Sequence, residues 1–189
     1  MYKGSKLMDY AIEYFKFEEQ PHIIPRTPLK GMSKRELKSI RKYPYIVTKN
    51  CGFEFKVIYE DKELKLKGTI PKGFCYNQAD IPFILQPITF DKHSPFVKDA
   101  SLIHDYLLWA KVFYYNYWDL GNKGFSVADF RKMTSKIFEL ALIRASVNED
   151  KARLMANVVD IFQAFKFIEW GKCESPNYVP DKSIRMGKV

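Results

Sequence analysis

The sequence predicts an α+β protein: a small antiparallel β-hairpin or meander, then a bundle of about three α-helices, with an N-terminal arm in front. Three observations carry this. Residues 53–60, "FEFKVIYE", alternate between apolar and polar positions, the period-two signature of a half-buried strand. Residues 94–171 hold three apolar-rich stretches with helix-start and helix-stop signals around them. Residues 1–44 show neither period clearly.

Taken in order, "DYAIEYFKF" suits a short helix or an extended arm, and "QPHIIPRTP" is extended or turn-like because of Pro21, Pro25 and Pro28. This segment is expected to pack against a partner rather than its own core. The boundaries are then 1–44 for an extended or partly helical arm, 45–172 for the α+β core and 173–189 for a basic tail. In the first strand Phe53, Phe55, Val57 and Tyr59 oppose Glu54, Lys56, Ile58 and Glu60. Asp61-Lys62 is the expected turn, and "ELKLKGTI" resumes alternation through Leu64 and Leu66. "YIVT" at 45–48 is a candidate third strand. Ile70–Pro87 holds Pro71, Gly73, Pro82 and Pro87, so a loop of special geometry follows.

The helical part opens with Ser94 as N-cap and Pro95 at the first helical position. The stretch to Trp118 is apolar on most sides, which marks a central buried helix. "NKG" at 122–124 breaks it. Ser126 and Asp129 then stand in capping-box spacing, before a stripe of Phe130, Met133, Ile137, Leu140 and Ala141. The last helix is capped by Asn148, with Glu149 and Asp150 matched to the helix dipole. Its stripe is Met155, Val158, Val159, Phe162 and Phe165, and Gly171 ends it.

Hydrophobic residues at 47% and charged residues at 28% are ordinary for a globular protein, while 16% aromatics is high. Cys51, Cys75 and Cys173 are odd in number and form no CxxC spacing, which argues against a disulfide framework or zinc knuckle and for free thiols in a reducing cytoplasm. The N-terminal stretch has no long apolar core of a signal peptide, and no run approaches the roughly 18 apolar residues of a membrane span. Net charge is +9. Much of it lies in "LKGMSKRELKSIRK", residues 29–42, with six Lys or Arg against one Glu, and in the tail "PDKSIRMGKV". Such excess attracts phosphates and acidic surfaces.

The chemistry-bearing stretch is "SLIHDYLLWAK". It sets His104 and Asp105 inside an apolar, aromatic helix. Neighbours on a helix point about 100° apart, so the pair needs groups from elsewhere, and the proline-bounded loop is the natural source. A buried carboxylate requires a partner: a loop N–H, a hydroxyl, a lysine or a metal.

"TIPKGFCYNQADIP", then "DASLIHDYLLW", then "FSVADF" resemble the phage and prophage proteins grouped as domain of unknown function 1353, over roughly Val57 to Gly171. Members typically show a strand running into a "VPAGF-TD-ASIP" loop, a helix with "AAV-HDYLY", and a helix opening with an "AD" pair. The family's loop Asp falls on Asn77, its loop Ser on Asp80, the last Tyr of its helix motif on Leu108, and its AD pair on Ala128 and Asp129. The resemblance implies a phage origin, with synthesis in the host cytoplasm and a place in the virion as an option, and no particular reaction.

The candidate site is therefore Asn77, Asp80, His104 and Asp105, with Asp129 joining His104, Asp105 and Asp80 as candidate ligands of a divalent metal. Hydrolysis of a phosphoester, amide or ester is the matching reaction class, with His104 as base or ligand and Asp105 as orienter. The competing reading is a hydrogen-bonded pin: His104 donating to a loop carbonyl, Asp105 accepting loop N–H groups, and Asp129 serving its helix start. A Cys75–His104 dyad is a minor alternative. No GxSxG, GxGxxG or P-loop is present.

The departures at Asn77, Asp80 and Leu108 favour a non-catalytic virion-associated, assembly or host-interaction component. The arm and the aromatic stretch 109–118 would then contact protein partners. An accessory hydrolase is the alternative. Nucleic-acid binding, from the net charge and the aromatics, comes after both.

Overall fold

The computed structural model describes residues 9–77 and 95–166. The elements run β1 (Tyr10–Phe17), β2 (Ile23–Pro25), α1 (Lys34–Lys42), β3 (Tyr45–Val47), β4 (Cys51–Tyr59), β5 (Lys62–Ile70), β6 (Cys75–Tyr76), α2 (Pro95–Trp109), α3 (Lys111–Tyr117), α4 (Val127–Arg144) and α5 (Glu149–Lys166). This is an α+β protein with two small antiparallel sheets, ordered β1-β4-β5 and β2-β3-β6.

The alternating "FEFKVIY" is β4. Phe53, Phe55, Val57 and Tyr59 are buried as the period-two pattern requires. The turn to β5 lies one residue earlier than expected: Tyr59 pairs with Lys62, and Glu60 and Asp61 take φ of 46° and 58°. Two central residues with positive φ make the tight turn whose twist matches antiparallel strands.

The third strand of this sheet is β1, not "YIVT". Residues 10–17, expected to lie on a partner, pair antiparallel with β4 and bury Ile12 and Phe15 in the protein's own core. A bulge between Ile12 and Tyr14 interrupts the alternation, which hides the strand from a period-two reading. "YIV" instead forms β3, between β2 and β6 in the second sheet.

The inner face of the larger sheet meets the helices. Phe53 is ringed by Phe55, Tyr106, Tyr114 and Trp118, with ring centroids 5.7–6.5 Å away. Gly68 of β5 is a close-approach glycine: a Cβ there would collide with the Phe53 ring and the Tyr114 hydroxyl. The helical run 95–117 is broken at Ala110, so the expected single central helix is the pair α2 and α3. Three polar tips, one before the break and two after it, reach the backbone of β5. The Trp118 Nε1–H donates to the Lys67 carbonyl at 2.9 Å, the Tyr106 hydroxyl donates to the Thr69 carbonyl at 2.7 Å, and the Thr69 N–H donates to the Tyr114 hydroxyl at 3.1 Å.

The outer face of the sheet is charged. Glu54 projects from β4 with only 4% of its side chain exposed. It is covered by Lys16, Lys65 and Lys67 at 3.3, 3.1 and 3.1 Å, and it accepts a 2.7 Å hydrogen bond from Tyr14.

α4 packs against α2, α5 and β1. The Ser126–Asp129 capping box forms as predicted. Ser94, the expected N-cap of the first long helix, and Gly171, the expected end of the last, lie outside the described residues, as does the proposed tail.

Candidate functional site

His104 sits in the middle of α2, where apolar residues surround the helix. Its ring is 1% exposed and lies 5.4 Å from the Phe138 ring of α4, centroid to centroid. The imidazole is therefore set in the α2–α4 interface. Its Nδ1 lies 3.3 Å from Asp105 Oδ1, and Asp105 itself is half-buried. A carboxylate beside Nδ1 favours the tautomer with the proton there, leaving Nε2 as an acceptor. Nε2 is buried and makes no hydrogen bond among the described residues.

The loop side is approached through β6. The Tyr76 hydroxyl donates to the Lys98 carbonyl of α2 at 3.2 Å, which ties the strand end to the helix about six residues before His104, roughly 9 Å along the axis. Asn77 follows directly and is half-buried. The structure thus brings Asn77's strand to the helix of His104 and Asp105. Asp80 lies outside the described residues.

Asp129 is elsewhere. It is buried at the start of α4, where its Oδ2 accepts hydrogen bonds from the Ser126 N–H at 2.8 Å and the Ser126 hydroxyl at 2.6 Å. Phe138, the α4 residue against His104, is nine positions further on, about 13 Å along the helix. Among the described residues no three His, Cys, Asp or Glu side chains gather to hold a metal ion.

Cys75 is a poor partner for His104, since burial pushes its thiol up from its ordinary value and disfavours the thiolate. Two clefts flank α4: one of about 460 Å³ between β1, α4 and α5, and one of about 250 Å³ near Phe17, Asp99 and Arg144. His104 and Asp105 line neither.

Other buried polar groups on α2 and α3 escape a motif-based reading. Ser101, one turn before His104 on the same face, is fully buried, and the Lys111 that opens α3 is buried as well. Their spacing at i−3 and i+7 from His104 was the available signal. The aromatic stretch 109–118 divides: Tyr114 and Trp118 are core, while Tyr117 is 62% exposed and stacks on Phe113 at 5.4 Å.

The fold and site define a class: an α+β protein whose helix α2 carries a buried His104 beside a half-buried Asp105. The chain belongs to the family described as protein of unknown function (DUF1353), whose model matches residues 53–159, more than half of its length. The match opens in β4, so β1, β2, α1 and β3 precede it. No curated protein and no solved structure matches the chain. No helix among the described residues is long and apolar enough to cross a membrane.

Proposed function

We propose that this chain is a non-catalytic phage component, virion-associated or engaged in assembly or host interaction, in which His104 and Asp105 form a structural junction between the loop-bearing sheet and the helices. One observation supports the non-catalytic part of the reading: the His104 ring is 1% exposed and packed on Phe138; the phage part rests on the family resemblance. A general base must come within hydrogen-bond reach of a substrate proton, and this ring is occupied by the α2–α4 interface.

The test is thermal unfolding of wild type, His104→Ala and Asp105→Asn, each with and without divalent ions. Breaking a buried polar junction costs on the order of 2–4 kcal/mol, so both variants should melt well below wild type and no ion should shift any of them.

A second reading, an accessory hydrolase acting on an amide, ester or phosphoester, has one specific observation in its favour: the buried Nε2 that makes no hydrogen bond among the described residues. Groups kept for chemistry are often held at a cost to stability. On that reading the variants keep their melting point, and an ion raises the wild-type midpoint but not theirs. That result would replace the structural proposal with a search for a reaction.

A further inference from the structure

We propose that the exposed face of α1 is a docking surface for the phosphate backbone of a nucleic acid. Residues 30–42 hold Lys30, Lys34, Arg35, Lys38, Arg41 and Lys42 against a single Glu36, more than half of the chain's net charge of +9. The five cations of the helix itself are all exposed. Among the described residues Lys34, Arg35, Lys38 and Arg41 enter no salt bridge, whereas Lys16, Lys56, Lys65 and Lys67 on the large sheet each have a glutamate. Glu36 is turned to the helix start, where its Oε2 accepts from the Ser33 N–H at 2.7 Å and the Ser33 hydroxyl at 2.6 Å.

The surface is also pre-organised. The Ser33–Glu36 capping box closes one end of α1. At the other end Arg26 donates to the Tyr43 carbonyl at 3.0 Å and the Ser39 carbonyl at 3.3 Å, and buried Ile40 anchors the inner face. Lys34, Lys38 and Arg41 fall at i, i+4 and i+7 on one face, spanning about 10 Å. A nucleic-acid strand presents about three phosphates over that length, at roughly 3.4 Å of duplex axis each.

A lipid surface fits less well. An interfacial helix must lay an apolar face into the bilayer, and the apolar side of α1, Ile40, is already in the protein. An acidic protein would need carboxylates at matching intervals, whereas a phosphate backbone supplies regular charge with any sequence.

The experiment is fluorescence anisotropy of the full chain with a short random-sequence duplex and the corresponding single strand. With about three phosphates neutralised, duplex affinity should fall about 40-fold between roughly 50 and 200 mM salt. The triple variant Lys34→Ala, Lys38→Ala, Arg41→Ala should lose most of the binding and of the salt dependence while its melting point stays put. Lys65→Ala with Lys67→Ala should bind like wild type. The proposal fails if neither nucleic acid binds at about 50 mM salt, if the triple variant binds normally, or if the sheet variant loses as much. It fails equally if phosphatidylserine vesicles or a polyglutamate peptide bind through α1 while nucleic acid does not.

Discussion

Two regions of this molecule are rich in lysine, and they are built differently. On the outer face of β1-β4-β5 the lysines surround Glu54 and the sheet beneath is joined to the core through Phe53 and its ring of aromatics. On α1 Lys34, Arg35, Lys38 and Arg41 are exposed and enter no salt bridge among the described residues, and the helix is held by a cap at each end and one buried isoleucine. The first region uses charge internally, to cover a sheet face. The second leaves charge available to whatever approaches. Net charge alone cannot distinguish these uses, because a lysine counts the same in both; the position of the carboxylates decides.

Three substitutions would break or sharpen this contrast. The largest effect belongs to Phe53→Ala, which empties the space at the centre of the sheet–helix contact. A loss of about 3–5 kcal/mol is expected for a buried Phe, visible as a large drop in the urea midpoint. A drop under about 1 kcal/mol would mean the aromatic ring around it is not what holds the sheet to the helices.

Next is Ser33→Ala. Removing an N-cap costs about 1 kcal/mol, and here the loss should be local. Hydrogen exchange should quicken in α1 and stay unchanged in β4 and α4. Uniform acceleration would show that α1 unfolds only with the rest, contrary to a region held apart from the main core.

The subtlest is Glu54→Gln, read against pH. The Tyr14 hydroxyl first, and then Lys67, Lys65 and Lys16, hold the Glu54 carboxyl down to about 2. A lowered folded-state value means the contribution is present above the ordinary carboxylate range and is lost as pH falls through about 2. The variant should therefore be less stable than wild type at neutral pH, with the gap closing in acid. A gap that is constant with pH would assign the loss to packing rather than to charge.

The same contrast explains what could be read from the sequence. The β4–β5 hairpin was legible because Phe53, Phe55 and Val57 alternate cleanly and the register is local. β1 was not, because its partner lies some forty residues away and a bulge breaks its alternation, so the local sequence fits a helix or an arm equally. The break at Ala110 was invisible for a related reason. Alanine is a strong helix former, so nothing local marks the interruption, beyond which Tyr114 and Trp118 bond to the backbone of β5. At the candidate site, the motif placed His104 and Asp105 on one helix correctly. It could not say which way His104 faces, since α2 is apolar on most sides. The sequence offers Asp129 both as a candidate ligand and as a helix-start residue, and the capping box is the role that the geometry fills.

The aromatic tips on β5 have a consequence for how copies of this protein behave together. A strand at the margin of a sheet offers its free amides and carbonyls to any neighbouring chain, and a long flat margin is a template for fibrous aggregation. Tyr106 bonds to the Thr69 carbonyl, Tyr114 to the Thr69 N–H and Trp118 to the Lys67 carbonyl, all from within the same chain. At the opposite margin the Arg144 guanidinium donates to the Phe15 carbonyl. Part of each margin of the larger sheet is thus already engaged within the chain, which works against strand-to-strand stacking between copies of the protein.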